Sequence, residues 1–235
     1  AKTPDQIGKK TEAELSADND KPLPYGYVHD RDILMGKRIW EYIDLDERVN
    51  FPLYYPVEGD VMLTKERQPL YNVLINGIRE GKITEVYDSS YFTTKRTLKD
   101  IESSLYVERI TDAGIDVINE DKEAYDSGKK VLDEQYINKF QISADHVSGY
   151  RIVGYWYFDK RQGELKYRLL GICPVVPDVQ LMGTDLPTGE EIEMVDLFWI
   201  YFPSARDVLH EATAFNNRNS AMPFTFDHLL NARRF

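Results

Sequence analysis

The chain has 235 residues, 42% of them apolar, 12% aromatic and 29% charged, enough to fill the core of one large domain or two small ones. Its formal net charge of −11, without any Lys/Arg run, excludes a basic nucleic-acid footprint and an anionic-lipid anchor. The single cysteine, Cys173, excludes an internal disulfide, and no stretch reaches the ~18 apolar residues that span a bilayer.

Ala1 to Lys21 is polar and has no apolar periodicity. With Lys21-Pro-Leu-Pro-Tyr-Gly-Tyr it reads as a flexible arm over 1–27, ahead of a single domain over 28–235. Asp30-Arg-Asp suits a helix start, where both acids would cap, and Ile33, Trp40 and Ile43 recur at helical spacing behind it. Asn50-Phe-Pro-Leu-Tyr-Tyr-Pro cannot continue that helix and reads as extended. A second helix opens near Pro69, gathers Leu70, Val73, Leu74 and Ile78 on one face, and closes at Gly81. A short strand over Ile83–Tyr87 and a helix carrying Leu98, Ile101 and Leu105 follow. The acidic excess concentrates in Asp112 to Asp126, which reads as a solvated surface excursion. Between Lys122 and Phe140 the pattern fixes no boundaries.

The sharpest β signal is the pair Tyr150–Phe158 and Glu164–Ile172. With Lys160-Arg-Gln-Gly163 as the hairpin loop, Phe158 opposes Leu165, Trp156 opposes Tyr167, and Gly154 opposes Leu169. One face then carries Ile152, Gly154, Trp156 and Phe158 against Leu165, Tyr167 and Leu169, a core surface. The other presents Tyr155 and Tyr157 near Lys166 and Arg168. A slip of one residue would destroy this sorting, so the register is well specified. Cys173, before Pro174 at the end of the second strand, reads as a buried thiol.

A third strand over Ile192–Phe202 is apolar on both faces from Leu197 onward and fits a central position. Pro203 ends it. Ser204 is placed to cap a helix with Ala205, Val208, Leu209 and Ala212. Thr225 caps a last helix that buries Phe226, Leu229 and Leu230 and ends in Arg233-Arg234, which complements the helix dipole. Strands and helices do not alternate, so the fold class is α+β: an antiparallel hairpin plus a third central strand packed with several helices, behind an extended N-terminal arm.

No phosphate-binding Gly-Lys-Ser/Thr loop, dinucleotide fingerprint, Gly-x-Ser-x-Gly elbow or His-x-x-x-His spacing occurs. Catalytic, metal-ligating and cofactor-binding residues are therefore assigned to none. His29 with Asp30 and Asp32 is the one constellation a hydrolase would use. Asp145-His146, His210-Glu211 and Asp227-His228 fit loop and helix-end roles. Tyr155, Tyr157, Lys166 and Arg168 are the candidate partner-binding residues, because Tyr and Arg combine contact area with hydrogen bonding. The competing reading is that a helix of the same domain covers the tyrosines while the basic tips reach outward. Exposed Tyr and Trp lining a groove would instead suit a glycan-binding module.

His29-Asp-Arg-Asp-Ile-Leu-Met-Gly-Lys-Arg-Ile-Trp-Glu-Tyr-Ile-Asp-Leu and Asn50-Phe-Pro-Leu-Tyr-Tyr-Pro resemble the GldN/PorN family of gliding motility and type IX secretion in Bacteroidetes. Leu70-Tyr-Asn-Val-Leu-Ile-Asn-Gly-Ile-Arg-Glu-Gly-Lys-Ile-Thr, Ile172-Cys-Pro-Val, Phe198-Trp-Ile-Tyr-Phe-Pro-Ser-Ala-Arg and Thr225-Phe-Asp-His-Leu-Leu-Asn-Ala-Arg-Arg-Phe continue the likeness in the same order. It runs from about Val28 to Phe235. The resemblance implies a secreted, non-catalytic structural component on the periplasmic side of the outer membrane, without cofactor and without direct membrane insertion. It implies assembly with a GldK/PorK-type lipoprotein, contact with a GldM/PorM-type periplasmic domain of the motor complex, and self-association in a ring. Family members commonly continue past the stretch that ends here at Phe235, so this chain in isolation is expected as a monomer or small oligomer.

Overall fold

A computed structural model describes residues 21–26, 28–56, 68–126, 130–184, 192–214 and 224–235. Of the arm expected over 1–27, all but 21–26 lies outside the described residues. A 3₁₀ turn at Asp30–Asp32 leads into strand β1 (Ile33–Asp44). Helix α1 (Phe51–Tyr54) precedes α2 (Leu70–Arg79) and β2 (Val86–Tyr87). Next come α3 (Leu98–Leu105), β3 (Tyr106–Ile110), α4 (Asp112–Glu120), α5 (Lys122–Asp126) and β4 (Ile137–Gln141). The hairpin strands are β5 (Gly149–Asp159) and β6 (Glu164–Pro177). β7 (Met194–Asp196), β8 (Trp199–Tyr201), α6 (Phe202–Glu211), β9 (Thr213–Ala214), β10 (Phe224–Thr225) and α7 (Phe226–Asn231) complete the order.

A 6-stranded sheet in the order β1-β5-β6-β8-β2, with β7 also on β6, organises the fold. The class is α+β, as the sequence indicates. The hairpin forms in the expected register: Phe158 opposes Leu165, Trp156 opposes Tyr167, and Gly154 opposes Leu169. Its loop has local causes. Asp159 Oδ1 accepts from the Arg161 and Gln162 amides at 3.0 and 3.2 Å, and Gly163 supplies a φ of +68°. A bulge at Leu170 then brings Leu169 and Ile172 onto one face, opposite Gly154 and Ile152.

Both sheet faces are covered at the centre. On one, Ile43, Tyr150, Ile152, Leu169, Ile172 and Ile200 pack against the buried stripes of α2, α6 and α7. On the other, Val153, Cys173, Trp199 and Tyr87 are capped by Phe92, whose ring lies 5.4 Å from that of Tyr87 and 5.3 Å from that of Tyr201. A Cβ at Gly171 would stand 2.5 Å from the Phe92 ring, so only glycine admits this plug. Cys173 is fully buried, and burial pushes its thiol well above its ordinary pKa.

Several expectations change. The segment from Ile33 to Asp44 is an edge strand, paired along its length with β5, rather than a helix. Ile39 and Ile43 are four apart, which keeps them on one face of a helix and of a strand alike. β-branched and aromatic content around Gly36, and above all pairing with β5, decide for the strand. Asp30 and Asp32 fall in the 3₁₀ turn, which has no side-chain cap. Phe51–Tyr54 is helical rather than extended, because Pro52 sits in the first turn, where a missing amide costs nothing. The third strand is broken at Leu197-Phe198 into β7 and β8; β8 keeps the interior place between β6 and β2. Tyr201, not Ser204, is the N-cap of α6, and the Ser204 hydroxyl donates to its carbonyl at 2.8 Å. The hairpin's outer end is less sorted than expected: Leu165 is 58% exposed while Tyr157 is 5% exposed. The acidic segment forms α4 and α5, with only Gly114 buried in α4.

Candidate functional site

The hairpin's second face brings the four candidate residues together as the register requires: Tyr155 opposes Arg168, and Tyr157 opposes Lys166. The two tyrosine rings stack at 6.0 Å and 21°. Lys166 is turned into the hairpin, its ammonium 2.9 Å from the buried carboxylate of Asp159. Lys166 and the Arg161 and Gln162 amides hold that carboxyl below its usual range, with the lysine contact the largest cause. The Tyr155 hydroxyl crosses Gly36 on β1, where a Cβ would approach it to 1.9 Å.

Arg168 holds Tyr25 and Gly26 against the sheet. Its guanidinium donates to the carbonyl of Gly26 and lies 5.5 Å from the Tyr157 ring and 5.4 Å from the Tyr25 ring. The Tyr25 ring also meets the Arg206 guanidinium at 4.5 Å. The Tyr25 hydroxyl donates to Asn231 Oδ1 at 3.0 Å, and Asn231 donates to Asp227 Oδ1 at 2.9 Å. Asp227, 4% exposed, accepts a fork from Arg206 at 2.7 and 3.0 Å. Burial, more than the flanking charges, pushes Tyr25 up to about 12. Arg168 thus links Tyr157 to Tyr25 and Gly26, and Tyr25 in turn meets Arg206 of α6 and Asn231 of α7.

A second polar cluster lies on the opposite face. Arg233, just beyond α7 at φ +50°, donates a fork to Glu41 at 2.8 and 2.7 Å. Its guanidinium lies 4.3 Å from the Tyr167 ring and 5.3 Å from Trp156. The arginine expected to complement the helix dipole instead ties the C-terminal residues to β1. Its hydrogen bonds hold the Glu41 carboxyl below the usual range, and burial raises Tyr167 to about 12.

The histidines do not converge. His29 and Asp30 are exposed, and Asp32 lies 4.0 Å from Arg161. Asp145-His146 belongs to a 3₁₀ turn boxed by Ser143, beside an open groove of about 410 Å³ that Tyr54, Tyr55 and Asp46 also line. Among the described residues no group of three His, Cys, Asp or Glu side chains is placed to hold a metal, and no helix is long and apolar enough to cross a membrane.

Sequence reasoning gathered the hairpin residues but missed Tyr25, Arg206, Asp227, Asn231, Glu41 and Arg233. Pro22 and Pro24, which stiffen the chain before Tyr25, are the one local signal for a docked arm. Nothing local marks the ion pairs, whose members stand 21 and 192 positions apart.

No curated protein matches the chain. A family model described as "Gliding motility associated protein GldN" matches residues 28–235, which takes in the whole sheet, its helices and the arginines of both clusters, but not Tyr25 and Gly26. The chain belongs to the GldN family of gliding-motility-associated proteins.

Proposed function

We propose that this chain is a structural, non-catalytic component of the type IX secretion and gliding machinery. It works in the periplasm, in a ring complex with an outer-membrane lipoprotein of the GldK/PorK type, and it contacts a GldM/PorM-type domain of the inner-membrane motor. Family membership across residues 28–235 is the observation that carries this reading. The geometry agrees with it: the arginines of both clusters are engaged with aromatic rings in holding the chain's own segments in place.

Within that role we assign Tyr155, Tyr157, Lys166 and Arg168 to partner binding. Tyr157 and Arg168 act by fixing residues 21–26, while the half-exposed Tyr155 and Lys166 border the same surface. The purified chain should retain a purified GldK/PorK-type lipoprotein on a column. Tyr157→Ala with Arg168→Ala should reduce capture about tenfold or more, the size expected when an aromatic–arginine anchor is lost. Undiminished capture removes the patch from the interface. Absence of capture by the unaltered chain removes the lipoprotein from the proposal.

A further inference from the structure

We propose that the groove between α1 and the turn that precedes β5 binds an arginine side chain from a basic segment of a partner protein. The groove is open, about 410 Å³ in volume, and lined by three aromatic rings, Phe51, Tyr54 and Tyr55, together with Asp46, Asp145 and His146. It lies beside the first residue of β5, whereas Tyr155 and Tyr157 stand near the last. It is therefore a different place from the surface assigned above to partner binding.

The rings meet at corners. Tyr55 stands edge-to-face to Phe51 and to Tyr54, with centroids 5.3 and 4.8 Å apart and planes at 82° and 83°. Rings turned at right angles offer no flat platform on which a sugar could stack, but the negative face of each attracts a cation. Tyr55 is 42% exposed, and Phe51 and Tyr54 are half-buried, so each keeps part of its ring accessible from the groove.

The carboxylates set the sign of the occupant. Asp46 and Asp145 are both exposed, and among the described residues no Lys or Arg lines the groove with them. Asp145 accepts from Ser143 Oγ and lies 3.3 Å from His146 Nδ1, and both contacts fall on its Oδ1. Its Oδ2 and the carboxylate of Asp46 meet no donor side chain among the described residues. Burial raises the pKa of the Tyr54 hydroxyl, and Tyr55, Asp145 and Asp46 push it the same way, so the fields of both carboxylates converge on that wall. A guanidinium suits this set better than an ammonium, because its plane stacks on a ring while its N–H groups reach carboxylates. The net charge of −11 favours the approach of a basic segment.

Chemical-shift titration of the isotope-labelled chain with acetyl-Gly-Arg-Gly-amide tests this, against the same peptide carrying citrulline, which keeps the shape and removes the charge. The arginine peptide should move the amide signals of Asp46, Tyr54, Tyr55 and Asp145 saturably, and less so as salt rises. The citrulline peptide should bind about fivefold more weakly or worse. Asp46→Asn and Tyr55→Leu, both at exposed positions, should each weaken binding about threefold or more with the unfolding midpoint unchanged. Tyr157→Ala with Arg168→Ala should leave the titration as it is, so this proposal and the hairpin patch fail separately. Equal binding of the citrulline peptide overturns the proposal, as do shifts confined to the acidic 112–126 segment. Unchanged affinity in Asp46→Asn and Tyr55→Leu, or occupation of the groove by tri-N-acetylchitotriose in place of the arginine peptide, overturns it as well.

Discussion

The guanidinium of Arg233 fastens the C-terminal residues to the sheet through Glu41 and the rings of Tyr167 and Trp156. Arg233→Ala should lower unfolding stability by about 2 kcal/mol, the scale of a charge-assisted hydrogen-bond pair with ring contact, read by denaturant titration. The effect should depend on pH. Because Glu41 is depressed in the folded chain, its stabilisation is complete above the ordinary carboxylate value of about 4.3 and is lost as pH falls through the folded value. The gap between the unaltered chain and Arg233→Ala should therefore narrow in acid; a gap constant down to pH ~3 contradicts the pairing. Gly154 has a steric role at the same site. A Cβ there would stand 2.2 Å from the Tyr167 ring, so Gly154→Ala should cost about 1–3 kcal/mol by forcing that ring aside. The pairing of Tyr155, Tyr157, Lys166 and Arg168 was legible in the sequence, because strand alternation is a local rule. The Glu41–Arg233 fork was not, since its members are 192 positions apart and nothing in either neighbourhood specifies the other.

At the scale of elements, α7 is capped as its sequence indicates: the Thr225 hydroxyl accepts from the His228 amide at 3.2 Å. Thr225→Ala should cost about 1 kcal/mol. Because α7 carries Asp227 and Asn231, the same change should also loosen the Tyr25 anchor, visible as a fall in the raised Tyr25 pKa by absorbance titration. β1 shows where elements elude sequence reading. Ile39 and Ile43 satisfy a helical and an even, strand-compatible spacing together, while Trp40 fits the helical stripe and sits on the other strand face, so periodicity alone does not settle the element. What separates them is β5, whose exposed backbone groups and Gly154, opposite Ile39, receive β1. In the 50–56 segment the prolines point to extended chain, but Pro52 falls in a first turn, where proline is tolerated, and Phe51–Tyr54 is helical.

Over the whole molecule, residues 21–26 are joined to the sheet and to α6 through Arg168 and Arg206. Arg168→Ala should free residues 21–26 without unfolding the sheet. Chymotryptic cleavage after Tyr25 should accelerate about fivefold or more, as local opening becomes easier by roughly 1 kcal/mol, with the unfolding midpoint little changed. Equal cleavage rates would show that the arm is held by other contacts. The sequence by itself determined the α+β class, the hairpin and its register, the helices at Leu70–Arg79, Leu98–Leu105 and Phe226–Asn231, and the family. These rest on turn chemistry, capping and alternation, which act over a few residues. Only the tertiary structure decided that Ile33–Asp44 is an edge strand, that Tyr25 and Gly26 dock on Arg168 beside Tyr157, and that Arg233 reaches Glu41. Each of these depends on which distant surface is left open once the core has closed, and no local pattern encodes that.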